Sequence, residues 1–84
     1  MRIIADLTGF TLMHNIYVVD KDNIQFFTKS LMKSMPETIC GLAQKYKTTD
    51  IILSGNTKYT EAIKEKIKNT YVKKYARECP YDIK

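Results

Sequence analysis

Eighty-four residues with 44% hydrophobic and 27% charged side chains are the makeup of one small globular domain, residues 1–84, and exclude a disordered chain. At this length folding buries only roughly 60–65% of the surface that the unfolded chain exposes, so marginal stability is expected. The net charge is +5, and no apolar run reaches the roughly 18–20 residues that a membrane-spanning helix needs.

Arg2 to Leu7 has the apolar density of an interior strand, and Thr8-Gly9 supplies a turn. From Phe10 to Val19 the chain alternates, with Phe10, Leu12, His14, Ile16 and Val18 on one face and Thr11, Met13, Asn15, Tyr17 and Val19 on the other. This predicts a long second strand. Asp20-Lys21-Asp22-Asn23 is a turn cluster, and Ile24 to Thr28 returns as a third strand.

Ser34-Met35-Pro36-Glu37 matches the capping box that opens a helix, with proline in the first turn where its missing N–H is not needed. Met35, Ile39, Leu42, Ala43 and Tyr46 then form one helical stripe. Gly41 inside it implies close packing on the sheet. Ile51-Ile52-Leu53 is a fourth strand, and after Ser54-Gly55-Asn56 a second helix runs from about Thr57 to Ala76. The expected fold is α/β of the α+β kind, in the order β-β-β-α-β-α. It comprises a three-strand antiparallel meander, one parallel strand and two helices.

The second helix is longer than the sheet is deep. About 20 residues span about 30 Å, against about 17–20 Å for a short strand. Tyr59, Ile63, Ile67, Tyr71 and Tyr75 recur at four-residue spacing, and each step turns the stripe by about 40°. Tyr59, Ala62 and Ile63 are thus expected on the sheet, with Tyr71, Val72 and Tyr75 turned away beside Lys64, Lys68 and Lys74. Those six residues are the expected interface; coverage of the rings by the first helix or the segment from Cys79 onward is the alternative.

The charge is concentrated here too: residues 57–84 carry a net +4 and residues 1–56 a net +1. Twelve of the fourteen basic residues are lysines, which attract acidic groups without the bidentate geometry of arginine. If the helix binds nucleic acid, Lys58, Lys66, Lys73 and Arg77 are the expected backbone contacts, without sequence readout.

Asp6-Leu7-Thr8-Gly9, together with the element order, resembles the start of the ribonuclease-H-like fold of RuvC-type nucleases and actin-like ATPases. The resemblance implies a metal or phosphate role for the strand-end Asp6. It is truncated, and the end of the fourth strand reads Leu53-Ser54-Gly55-Asn56, without the carboxylate that two-metal chemistry in that family places there. Ser54-Gly55-Asn56 also lacks the spacing of a P-loop or a dinucleotide fingerprint. Cys40 and Cys79 have no metal-ligand spacing and are expected as free thiols, and no metal and no cofactor are expected.

The sequence therefore predicts a non-enzymatic, cytoplasmic binding protein with a protein or nucleoprotein partner, its N-terminus carrying no signal-peptide pattern. Self-association through the second helix is a further expectation. Lysine- and isoleucine-rich composition suits an accessory or inhibitor protein of an AT-rich bacterial or phage genome. Direct nucleic-acid binding and a reduced magnesium-dependent nuclease are the competing expectations.

Overall fold

The computed structural model describes residues 1–9 and 12–84. In chain order these form β1 (Arg2–Asp6), β2 (Met13–Asp20), β3 (Asn23–Leu31), α1 (Met35–Tyr46), β4 (Asp50–Ser54), α2 (Thr57–Tyr75) and β5 (Asp82–Ile83). One mixed sheet has the order β3-β2-β1-β4-β5. The expected antiparallel meander is present, as is the parallel pairing of β4 with β1. β5, which the sequence reading did not foresee, lies parallel to β4 at the sheet edge. Phe10 and Thr11, expected within the second strand, lie outside the described residues, and Leu12, expected on the face of His14, precedes β2 and is 81% exposed.

Strand alternation decides where the core sits. Ile3 is paired with Val18 on one side and Ile51 on the other, and Ala5 likewise with Ile16 and Leu53. All six are buried on one face of the sheet, where α1 adds Met35, Ile39, Cys40 and Ala43 and α2 adds Ile63, Ile67 and Tyr71. The helices touch each other there, the Cys40 thiol donating to the Ile67 carbonyl at 3.8 Å. Burial pushes that thiol up to about 11, which leaves it unreactive, and both cysteines are free. His14 also faces inward, its Nδ1 3.2 Å from the Asp6 carbonyl oxygen.

Two local expectations about α1 are corrected. Ser34 accepts no capping hydrogen bond; a 3-10 turn, Met32–Ser34, feeds the helix instead and holds Ser34 in a helical conformation. A residue so placed cannot present its hydroxyl to the helix's first N–H groups as an extended N-cap does. Gly41 is exposed, and a Cβ there would meet nothing within 4 Å, so it marks no close packing. Gly41→Ala is therefore expected to stabilise the protein by about 0.5–1 kcal/mol, read from the midpoint of urea unfolding.

Candidate functional site

α2 begins at a turn shaped by β4 and β1. Leu7 N–H donates to the Ser54 carbonyl at 2.6 Å, which carries the β1–β4 ladder to the sheet's end. Gly55 has φ +145°, and a Cβ there would lie 2.9 Å from the Leu7 carbonyl carbon. Glycine is required by that approach. The Asn56 side chain then accepts from Lys58 N–H at 2.9 Å and caps the helix.

The helix is rolled differently from the sequence expectation. Tyr59, expected on the sheet, is 49% exposed, and Ala62 is exposed too. Tyr71, expected at the interface, is 1% exposed. Its ring meets Tyr75 at 4.7 Å and the edge of Tyr81 at 5.0 Å, and its hydroxyl accepts from Arg77 Nε at 3.0 Å. Tyr75 is half-buried against the same core. The cause is β5, which widens the sheet and places Tyr81 beneath the end of α2. From Ile63 to Tyr71 the stripe turns by only about 80°, within the roughly 100° width of one buried face.

The other named residues remain at the surface. Lys58, Lys66, Lys73, Lys74 and Arg77 are exposed, Val72 is 48% exposed, and Lys64 and Lys68 are half-buried. Among the described residues no lysine of α2 forms an ion pair, although Glu61 and Glu65 lie on the same helix. The ion pairs gather instead at the start of β1 and β4, where Asp50 meets Arg2 at 3.8 Å and Lys84 at 3.3 Å. Lys73 and Lys74 line a cavity of about 350 Å³ with Thr70 and with Glu37 from the first turn of α1.

The two turns that the sequence presents separately, Thr8-Gly9 and Gly55-Asn56, come together. With Leu7 and Tyr59 they line a cavity of about 500 Å³ at the carboxyl ends of the parallel strands β1 and β4. Crevices in this position are where open α/β sheets commonly hold ligands. Asp6, the last residue of β1, directly precedes this lining. It accepts from Thr8 N–H at 3.0 Å and from the Thr8 hydroxyl, which hold its carboxyl below the usual carboxylate range. Its neighbours across the sheet are Asn15 and Ser54. Among the described residues no group of three His, Cys, Asp or Glu side chains is placed to hold a metal ion. No helix among them is long and apolar enough to cross a membrane. No family model, no curated protein and no solved structure matches the chain.

Proposed function

We propose that the chain is a small, non-enzymatic binding protein of the cytoplasm that docks an acidic surface of a protein or nucleoprotein on the outer side of α2. The observation that carries this reading is the set of α2 lysines without carboxylate partners. An exposed cation gains little from isolated surface pairing, but a row of them facing an acidic partner steers association and adds affinity at low salt. With Tyr71 in the core, Tyr75 packed against it, Lys74 in the cleft beside Glu37 of α1 and Arg77 tied to the Tyr71 hydroxyl, the contact set on the outer side is Lys64, Lys68 and Val72 joined by Lys58, Lys66 and Lys73.

An affinity capture from nuclease-treated cytosol tests it. The wild-type chain is expected to retain a protein that elutes as salt rises to about 0.5 M, where the screening length falls to roughly 4–5 Å. Lys66→Glu/Lys73→Glu is expected to lose at least tenfold in affinity. Equal retention by wild type and double variant sinks the proposal.

Nucleic-acid binding is the second reading, favoured by the exposure of all four of its residues, Lys58, Lys66, Lys73 and Arg77. It requires affinity for any duplex or single strand that falls steeply with salt, the slope shrinking by about 0.7–0.9 for each phosphate contact removed. No shift at low salt would end it. The ribonuclease-H-like resemblance is a lesser proposal, supported by the element order and by Asp6 at the end of β1. Absence of magnesium-dependent cleavage by the wild-type chain removes it.

A further inference from the structure

Both helices end in a left-handed residue, Lys47 after α1 and Ala76 after α2. Residues from the two ends line one cavity of about 250 Å³, together with Tyr81 from the segment leading into β5. The reversal at Ala76 brings Arg77 back to the last turns of its own helix. Its Nε donates to the Tyr71 hydroxyl at 3.0 Å, and its guanidinium carbon lies 5.8 Å from the centre of the Tyr71 ring. An exposed arginine is thus held in place by a buried tyrosine, with its terminal N–H groups left over. Among the described residues these meet no carboxylate.

The rest of the lining has the same polarity. The Tyr81 hydroxyl accepts from Gln44 Nε2 at 3.3 Å, as the Tyr71 hydroxyl does from Arg77, so each phenol keeps its own proton to donate. Both tyrosines are buried, and among the described residues neither proton has an acceptor. Burial pushes the Tyr81 hydroxyl up to about 12, which keeps it a donor at neutral pH. Lys47 supplies a second full charge without an ion pair, and among the described residues none that lines the cavity is acidic. The ends of α1 and α2 each place roughly half a negative charge nearby, which two full positive charges outweigh.

A buried donor without an acceptor is costly, so the arrangement calls for an occupant rich in acceptors and carrying about two negative charges. A phosphate group meets both conditions, with three acceptor oxygens and a charge of about −1.5 to −2 at neutral pH. A carboxylate brings a single charge. The volume lies below the roughly 300–1,000 Å³ of sites for drug-sized ligands, which limits the body that the phosphate can carry. We infer that this cavity binds a phosphate group, free or on a compact organic body, with Arg77 and Lys47 meeting its charge and the Tyr71 and Tyr81 hydroxyls donating to its oxygens. The site lies beyond the end of α2 and uses none of the lysines on that helix's outer side.

Nuclear magnetic resonance titration of the full chain in about 0.15 M sodium chloride, with inorganic phosphate and in parallel with glycerol phosphate, tests it. Saturable shifts of the Lys47, Thr49, Arg77 and Tyr81 amides are expected, half complete at or below about 1 mM. Tighter binding of glycerol phosphate assigns the site to an ester, and equal or weaker binding assigns it to free phosphate. Arg77→Gln and Lys47→Gln, both at exposed positions, are each expected to weaken binding at least tenfold with unchanged far-ultraviolet circular dichroism. Lys66→Glu/Lys73→Glu, neither of which lines the cavity, is expected to change it less than about twofold. Absence of saturation by about 10 mM phosphate overturns the inference. So does equal binding of acetate, or a loss in Lys66→Glu/Lys73→Glu as large as that in Arg77→Gln, which would mark diffuse attraction to the basic surface.

Discussion

Exchange of Tyr71 for alanine is expected to destabilise the protein by about 3–5 kcal/mol, the range for emptying a large aromatic site in a packed core. Tyr71 is among the largest fully buried side chains, and it touches both Tyr75 and Tyr81. A chain of this size has a total stability of about 4–13 kcal/mol, so the change removes a large share of it. Thermal unfolding would register the loss as a fall of roughly 4–8 °C per kcal/mol. Tyr71→Phe keeps the ring and gives up only the hydrogen bond from Arg77 Nε, worth about 0.5–1.5 kcal/mol at a partly exposed site. If Tyr71→Ala melts with the wild type, the ring is not part of the core.

Removal of Cys79–Lys84 is expected to have an effect of at least the same size. The segment buries Tyr81 and Ile83, each worth about 1.5–3 kcal/mol. Its backbone hydrogen bonds to β4 and the residue before it include Leu53 N–H to the Lys84 carbonyl, Lys84 N–H to that of Ile51, and Asp82 N–H to that of Thr49. Without them β4 becomes a bare edge, a template for pairing with other chains. The shortened chain is expected to lose cooperative unfolding and to scatter light at concentrations where the intact chain stays clear. A sharp, unshifted unfolding transition in it would show β5 to be dispensable.

These two expectations fall on the part of the fold that was hardest to read. The meander was legible because side-chain period two runs through β1 and β2, and the α1 stripe because Met35, Ile39, Leu42 and Ala43 keep one face. β5 was not, since two paired residues give almost no periodic signal; only the alternation of Tyr81 and Ile83 with Asp82 and Lys84 hints at it. Missing that strand left α2 measured against a narrower sheet. Measured so, Tyr71 falls outside the core and the sheet-facing part of the stripe runs from Tyr59 to Ile63 instead of from Ile63 to Tyr71.

The candidate surfaces divide in the same way. The exposure of Lys58, Lys66, Lys73, Lys74 and Arg77 follows from charge alone. The meeting of Thr8-Gly9 with Gly55-Asn56 depends on two chain segments lying side by side, which only the β1–β4 register supplies. Which side of the sheet both helices cover is a further fact of this kind. Alternation within a strand cannot tell which of two apolar faces receives the helices when Ile4, Tyr17 and Ile52 are as hydrophobic as their neighbours.

The position of β1 also bears on how the chain reaches this state. β1 is the middle strand, held on one side by the nearby β2 and on the other by β4, whose Ile51 pairs with Ile3 nearly fifty positions away. The hairpins of β1, β2 and β3 close short loops and can form within about 1–10 μs. The parallel pairing must first confine a long loop, and the contacts that reward this come only afterwards. The arrival of β4 against an already formed meander is therefore the expected slow step, and substitutions at the β1–β4 seam are expected to slow refolding more than those at the β2–β3 turn.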